Sequence, residues 1–244
     1  MKKIEAKIVA DSKNEQGDRI TTYLLTYPRF IHSELMTHRV FSRNSASSRA
    51  IPFEKMVKMV EEDPFIPIAW QKDHKGMQGS EYFTKDDLYF PNGQSYSEYG
   101  YRNAVDYNRE IWLEARDKAL QEATLLHNNE VTKQLCNRLL EPFMWHTTLV
   151  TATDFTGFFE LRCPQYQDIY TKNKYYKSWK TYLQHIEDYQ TLNYAKNLDV
   201  IGKLQENKGQ AEIHMMDLAE KIYDAMNESI PKHLESGEFH LPFI

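Results

Sequence analysis

A stripe of small and apolar side chains runs along residues 102–128 and predicts one long helix. Its members recur three or four residues apart, which places them on one face of an α-helix. They are Ala104, Tyr107, Ile111, Ala115, Ala119, Ala123 and Leu126. A helix with a single apolar stripe buries that face against other elements, so this segment is expected to contribute to the core.

Strand signals come before most of the helical ones. β-Branched and aromatic residues dominate 4–9 and 20–27, on either side of a turn-like run at 14–18, and this predicts two antiparallel strands. A further strand is predicted at 145–152. The remaining helices are predicted at 30–39, 52–62, 130–140, 155–162 and 215–226, with at least one more between 164 and 209. The pattern indicates an α+β fold, in which an antiparallel sheet packs with long helices, and 244 residues suit a single domain.

Charge and composition exclude several classes of protein. The net charge of −5 argues against a broadly basic surface, so a nucleic-acid partner is not expected. Cys136 and Cys163 are too few for a disulfide framework and lack CxxC spacing, as in a reducing cytosol. The histidines show no metal-ligand spacing, so no metal site is expected. With neither a signal peptide nor an apolar run of about 18 residues, the sequence predicts a cytoplasmic protein without a membrane span.

Residues 64–101 show little regular pattern. Turn signals at 76–79 and 91–93 predict a long excursion over the surface. The alternative is a lid over a substrate site, because loops of this length are often functional.

The segment 37–49 concentrates groups that bind anions. It holds three guanidinium groups, one imidazole, an amide and five hydroxyls, and it contains no carboxylate. Guanidinium forks match phosphate oxygens, and hydroxyls with turn amides complete a cradle. A serine-rich capping loop with solvated arginines is an equally good interpretation. Glu34 and His38 stand four residues apart, so on a helix Glu34 would orient the imidazole, or the two would form a surface pair.

An arginine ends an aromatic stripe at residues 155–162. Phe155, Phe158, Phe159 and Arg162 share one helix face. An unpaired guanidinium against a core is costly, so Arg162 is expected to meet a carboxylate, carbonyls or an anionic ligand, unless it reaches solvent at the helix end. Gly157 inside this helix predicts close approach by another backbone or by a planar ligand.

Tyrosines and lysines crowd residues 164–209. Those from Tyr170 to Tyr182 would be able to stack on bases beside phosphates, which would suit a nucleic acid. The alternative is an amphipathic helix with half-buried tyrosines, and the helical spacing of Trp179, Tyr182 and Ile186 favours it.

These residues resemble the signature of the flavin-dependent thymidylate synthase family. That signature reads Arg-His-Arg, two residues, Ser, one residue, Asn, two residues, Ser, one residue and Arg. The corresponding residues here are Thr37, His38, Arg39, Ser42, Asn44, Ser47 and Arg49. Every fixed position matches except the first arginine. Residues 137–142, 155–162 and 210–213 resemble further family stretches in the same order, and the chain is most similar to the versions carried by bacteriophages.

The resemblance implies an α+β homotetramer with active sites at the subunit interfaces. It implies methylation of dUMP at C5 to give dTMP, with methylenetetrahydrofolate as carbon donor, FAD as hydride carrier and NADPH as reductant. A bacteriophage enzyme of this kind would work in the host cytoplasm. In the family, fewer residues separate the Leu-Arg pair that corresponds to Leu161 and Arg162 from the stretch that corresponds to 210–213. Residues 164–208 are therefore expected to be a helical insertion in the single domain.

Residue by residue, the resemblance assigns two binding sets and one catalytic residue. The dUMP set is Glu34, Ser47, Ser48, Arg49, Arg138 and Arg162. The FAD set is Thr37, His38, Arg39, Ser45 and Gly157. Arg162 is the catalytic candidate, because a fixed guanidinium would stabilise the negative charge that develops on the pyrimidine when C5 becomes nucleophilic.

Four of these positions differ from the family's usual residues. Thr37 stands for an arginine, Glu34 for a glutamine, Ser45 for a glutamate and Gly157 for an asparagine. One alternative is therefore a related enzyme that uses the same flavin site to hydroxymethylate dUMP or to modify another pyrimidine nucleotide. A second alternative is a non-catalytic protein that binds a nucleotide or a nucleic acid.

Overall fold

A five-stranded sheet forms the centre of the computed structural model, which describes residues 2–75, 79–89 and 102–243. In chain order the strands are β1 (Glu5–Lys13), β2 (Arg19–Pro28), β3 (Ser42–Ser45), β4 (Leu88–Tyr89), β5 (Arg102–Asn103), β6 (Trp145–Ala152), β7 (Tyr166–Gln167), β8 (Tyr175–Tyr176) and β9 (Lys232–His233). The helices are α1 (His32–Met36), α2 (Phe53–Glu62), α3 (Ala104–Asn128), α4 (Lys133–Leu140), α5 (Thr156–Arg162), α6 (Trp179–Gln184), α7 (Tyr189–Lys196), α8 (Val200–Glu206) and α9 (Ile213–Glu228).

The central sheet has the order β3-β6-β2-β1-β9 and is mostly antiparallel. The predicted hairpin of β1 and β2 is confirmed, and so is the predicted strand β6, which pairs antiparallel with β2. Gly17 adopts a φ of 90° in the turn between β1 and β2, a conformation that glycine reaches without a steric penalty. β9 was not predicted; it adds to β1 in parallel. The predicted α+β class is therefore confirmed.

One face of the sheet carries the main core. Tyr23, Leu25 and Tyr27 alternate along β2 and are fully buried. They pack with α5 and with α9, whose Met215, Leu218 and Ile222 turn towards the sheet. The predicted last helix is confirmed as α9, and the predicted aromatic stripe of α5 is confirmed as part of this core, since Phe155, Phe158 and Phe159 are buried.

The long predicted helix is confirmed as α3, but it packs against α2 and α4 instead of the sheet. Its predicted stripe is wrong in the middle, where Ile111 and Ala115 are exposed. Trp112 takes the packed position, because its indole N–H donates to the Phe65 carbonyl at 2.8 Å. α4 begins three residues later than predicted, at a side-chain cap from Thr132.

Residues 164–208 form a small unit with a hydrophobic cluster of its own. Tyr166, Tyr176, Trp179, Tyr182 and Ile186 are buried together there. The predicted helix near Trp179 is confirmed as α6, whereas residues 170–178 are not helical. Burial of Tyr176 and Tyr182 removes these rings from any base-stacking surface, while Tyr170 and Tyr175 remain exposed.

One loop prediction, at residues 42–45, is wrong, and a second, the surface excursion at 64–101, is described only in part. Residues 42–45 were expected in a polar loop; instead they form the edge strand β3, held by pairing with β6. Of the predicted surface excursion, residues 76–78 and 90–101 lie outside the described residues, including the turn at 91–93. The described part contains a β-bridge between Gln71 and Tyr82 and the short pair of β4 with β5. Among the described residues no helix combines the length and the apolar character that a membrane crossing requires.

Candidate functional site

Arg162 lies at the centre of the first group of predicted site residues. Its Nε donates to Nε2 of His38 at 3.1 Å, and its NH1 lies 3.6 Å from Oε2 of Glu34. Of the partners that the sequence predicted for this guanidinium, the structure therefore shows a carboxylate, and it adds an imidazole. Because Arg162 occupies Nε2 as a donor, His38 is neutral and carries its proton on Nδ1. Burial, and to a smaller extent the charge of Arg162, lowers the pKa of His38, which also favours the neutral ring.

Glu34 and His38 do not pair with each other, contrary to the prediction of a shared helix face. α1 ends at Met36, so His38 lies beyond it. Two contacts stop the helix there: the Thr37 hydroxyl donates to the Glu34 carbonyl at 2.7 Å, and Arg43 donates to the Met36 carbonyl at 2.7 Å. The chain then turns, and both side chains converge on Arg162. The His38 ring packs between Phe41 and Phe158, which fixes its position.

A cleft of about 510 Å³ opens beside Arg162. Its lining includes Glu34, Gln71, Tyr82, Gln210 and Glu212. Burial, with the charge of Glu212, raises the pKa of Glu34 above its ordinary value. The cleft thus offers one guanidinium, two carboxyl groups and two amides, a set that suits a polar heterocycle with both donors and acceptors.

Glu212 is a residue of this cleft that the sequence did not single out. One of its oxygens caps α9 by accepting the N–H groups of His214 and Met215. The other lies 2.6 Å from Nδ1 of His214, whose Nε2 accepts the N–H of Ile68 at 3.0 Å. This series of hydrogen bonds joins the start of α9 to the segment before Gln71. The stretch 210–213 matched a family pattern, but nothing in its residues indicated that Glu212 faces Arg162 across the fold.

The second group of site residues lies on the 3₁₀ turn Ser48–Ala50 and on α4. Asn137 of α4 donates to the carbonyls of Ser48 and Ile51, at 2.8 and 3.0 Å. The buried Ser48 hydroxyl donates to Glu141, and Glu141 lies 3.7 Å from Arg29. Ser48 is therefore engaged within the chain, and its contacts lock the turn against α4. This places Arg49 and Arg138 on two elements that touch.

Three arginines of the predicted site present free guanidinium groups. Arg39, Arg49 and Arg138 are exposed, and none forms an ion pair with a residue that the structure describes. Thr37, Ser45 and Ser47 are exposed as well. Arg43 differs from these arginines, because it is half-buried and caps α1. Exposed arginines without carboxylate partners remain available to bind an anion.

Gly157 lies on the exposed side of the first turn of α5. A Cβ added there would meet no described atom within 4 Å. The predicted close approach by another part of the backbone is therefore wrong within the described chain, and the space beside Gly157 is open.

A buried polar network that the sequence did not indicate lies behind the second group. The Tyr27 hydroxyl contacts Nδ1 of His32 at 2.8 Å and the Thr148 hydroxyl at 2.7 Å. Arg29 donates to Nε2 of His146 at 3.3 Å. Burial and the charge of Arg29 lower the pKa of His32 to about 4 and that of His146 to about 3, so both rings are neutral. The network supports Arg29, which in turn contacts Glu141.

No family model matches this chain, and no curated protein matches it. Many solved structures are similar to it, among them the following two. One is a UMP/dUMP methylase, PolB from Streptomyces cacaoi, bound with 5-Br UMP: it is 15% identical with a TM-score of 0.43, over 71% of this chain and 82% of that one. The other is PolB from the same organism bound with 5-Br dUMP, 16% identical with a TM-score of 0.40, over 76% of this chain and 70% of that one. What this chain binds is therefore inferred from its own residues.

Proposed function

We propose that this protein modifies C5 of a pyrimidine nucleotide, and specifically that it makes dTMP from dUMP by reductive methylation. The carbon donor would be methylenetetrahydrofolate, the hydride carrier FAD and the reductant NADPH, as the motif at 37–49 implies. The observation that supports the proposal best is the fixed guanidinium of Arg162, held by His38 and Glu34 at the edge of a cleft. A guanidinium positioned in advance stabilises negative charge on a bound ring without reorganisation.

The nucleotide phosphate would bind to the second group. Arg49 and Arg138 offer two guanidinium forks on adjacent elements, neither in an ion pair with a described residue, and Ser47 is exposed beside them. Ser48 would contribute through its bond to Glu141, which fixes the turn that carries Arg49. In the first group Arg162 would face the ring, and Glu34 would accept a ring N–H.

The residues assigned to FAD fit a flavin nucleotide in three respects. Arg39 has no ion pair among the described residues, Thr37 and Ser45 expose hydroxyls, and the space beside Gly157 is open. Arg39 and the Ser45 hydroxyl would hold the pyrophosphate, since guanidinium and hydroxyl groups bind phosphate oxygens. Thr37 would border the flavin site without binding phosphate, because its hydroxyl donates to the Glu34 carbonyl. FAD bound there would supply hydride transfer. His38, already engaged by Arg162, would act mainly by positioning that guanidinium.

A second copy of the chain would complete the site. Exposed apolar side chains are the chain neighbours of three arginines of the proposed site: Val40 follows Arg39, Leu139 follows Arg138 and Leu161 precedes Arg162. Covering these side chains at a subunit contact would remove them from water and close the site to solvent. The homotetramer implied by the sequence resemblance would supply such contacts.

The proposal is tested with purified protein, FAD, NADPH, methylenetetrahydrofolate and dUMP. A flavin absorption spectrum that shifts on addition of dUMP is expected, and mass spectrometry of the nucleotide should show dTMP. Arg162→Lys keeps the charge but loses the planar fork and the bond to His38, so turnover should fall on the order of 100-fold while stability changes little. Arg109→Lys, an exposed site on α3, is the matched control.

Three outcomes would contradict parts of the proposal. Unchanged turnover in Arg162→Lys would make Arg162 a structural residue. A hydroxymethylated product would replace methylation by the related reaction at the same site. A protein that binds dUMP but never FAD would be a nucleotide-binding protein without this chemistry.

A further inference from the structure

A second cavity, of about 700 Å³, separates the main core from the unit formed by residues 164–208. Its volume lies in the range of small-molecule sites. Apolar side chains line it from several sides: Ile4 and Trp145 belong to the main core, and Trp179 and Leu183 belong to the cluster of the 164–208 unit. Met216 and Leu204 pack in one further cluster between them. Met216 also lines the cleft beside Arg162, so the two cavities lie on either side of this residue. No residue assigned to the nucleotide or to FAD lines the second cavity.

Basic side chains outnumber acidic ones around this cavity, in contrast to the chain as a whole. Five lysines and three carboxyl groups line it, whereas the whole chain has a net charge of −5. An apolar cavity with a cationic surplus favours an anion that also carries an apolar body.

The carboxyl groups of the lining are all engaged within the chain. Asp217 pairs with Lys221, and Glu220 accepts the N–H of Trp179 at 2.5 Å. Asp224 accepts a hydrogen bond from the Ser178 hydroxyl. The ammonium group of Lys221 balances the charge of Asp217. Burial raises the pKa of Glu220 and of Asp224, which favours their neutral forms and weakens the repulsion of an incoming anion.

The side chains of three of the lysines, by contrast, form no ion pair with a described residue: those of Lys2, Lys3 and Lys203. Lys2 contacts Asp63 only through its backbone N–H. Lys203 is the best placed of them, because its Nζ lies 5.7 Å from the centre of the Trp179 ring, directly at the apolar wall. A ligand acid group bound by Lys203 would leave the rest of the ligand against this wall.

We propose that this cavity binds an aromatic anion, a flat apolar ring system that carries one acidic group. The rings of Trp145 and Trp179 and the aliphatic side chains would contact the ring system, and Lys203 would bind the acid. The site is independent of the proposed nucleotide reaction, since Lys203, Trp145 and Trp179 do not line the Arg162 cleft and the two linings share only Met216.

Two dyes that share an aromatic body and differ in charge test this proposal on the full chain. The anionic probe is 8-anilinonaphthalene-1-sulfonate, and the neutral one is N-phenyl-1-naphthylamine. Fluorescence titration of the wild type should show one saturable site for the anionic dye. Lys203→Glu should weaken binding of the anionic dye at least about ten-fold and change binding of the neutral dye less than about two-fold. Leu204→Trp should fill the cavity and weaken both.

Lys196→Glu, an exposed charge reversal on α7, is the matched control and should leave both dyes unaffected. Circular dichroism of each variant checks that the fold is retained. Equal effects of Lys203→Glu on the two dyes would overturn the proposal, and so would binding at several sites that neither Lys203→Glu nor Leu204→Trp alters.

Discussion

Replacing Glu220 with glutamine is expected to remove a pH dependence from the stability of this fold. Glu220 lies on α9, where Oε1 accepts the N–H of Trp179 and Oε2 lies 3.5 Å from the Tyr166 hydroxyl. Burial raises the pKa of Glu220 from 4.5 to about 7. Glutamine has the same shape and can keep both hydrogen bonds, so the substitution isolates the effect of the proton.

The direction and size of the effect follow from this shift. The folded protein holds the proton more tightly than the unfolded chain, so the stabilisation is complete below pH 4.5 and is lost as the pH rises through about 7. One pKa unit corresponds to about 1.4 kcal/mol. The free energy of unfolding of the wild type should therefore fall by about 2.5 kcal/mol between about pH 5 and about pH 8 from this group alone.

Urea unfolding, followed by tryptophan fluorescence at several pH values, measures the effect. The difference in unfolding free energy between Glu220→Gln and the wild type should increase across this pH window in favour of the variant. Glu228→Gln, an exposed carboxylate of the same helix that pairs with Lys180, is the control and should keep the wild-type slope. Parallel curves for Glu220→Gln and the wild type would refute the reasoning, because Glu220 would then titrate alike in both states.

Three further predictions concern the site. Arg49→Ala should weaken dUMP binding about ten-fold or more in isothermal titration and leave FAD affinity unchanged, since one of two phosphate forks is lost; loss of FAD with intact dUMP affinity would contradict the assignment. Gly157→Ala should stabilise α5 by up to about 1 kcal/mol in urea unfolding, because the added methyl meets open space; a less stable variant would show that the space is occupied. Glu141→Gln should lower stability by about 1 kcal/mol through its bonds to Ser48 and Arg29; an unchanged melting temperature would mean that these bonds contribute nothing.

Local sequence patterns predicted the elements whose cause is local. Runs of β-branched and aromatic residues gave β1, β2 and β6, and the aromatic stripe gave the buried face of α5. The end of α1 was predicted too late because its cause is distant: Arg43, seven residues beyond Met36, caps the helix. β3 was missed because its Ser-Arg-Asn-Ser sequence has low strand propensity, and pairing with β6 alone makes it a strand.

The candidate site shows the same division. The cost of burying an unpaired guanidinium predicted that Arg162 would find a partner, and the structure supplies Glu34 and His38. Which residues face it across the cleft was not predictable, since Glu212 and Gln71 arrive from segments far apart in the chain. Pairings of this kind depend on how α9 and the segment after α2 dock on the sheet.

The register of β3 sets the spacing of the whole site. Its four residues pair with Thr151, Val150, Leu149 and Thr148, and the strand lies along the chain between His38 and Arg49. Side chains alternate between the two faces of a strand, so deleting one residue here would turn Arg43 to the other face and free the end of α1. The same deletion would draw Arg49 about 3.4 Å towards His38. The main-chain hydrogen bonds of β3 thus fix the distance between the two groups of site residues. A shortened β3 would change that distance and disrupt the site, although every side chain that binds a ligand would still be present.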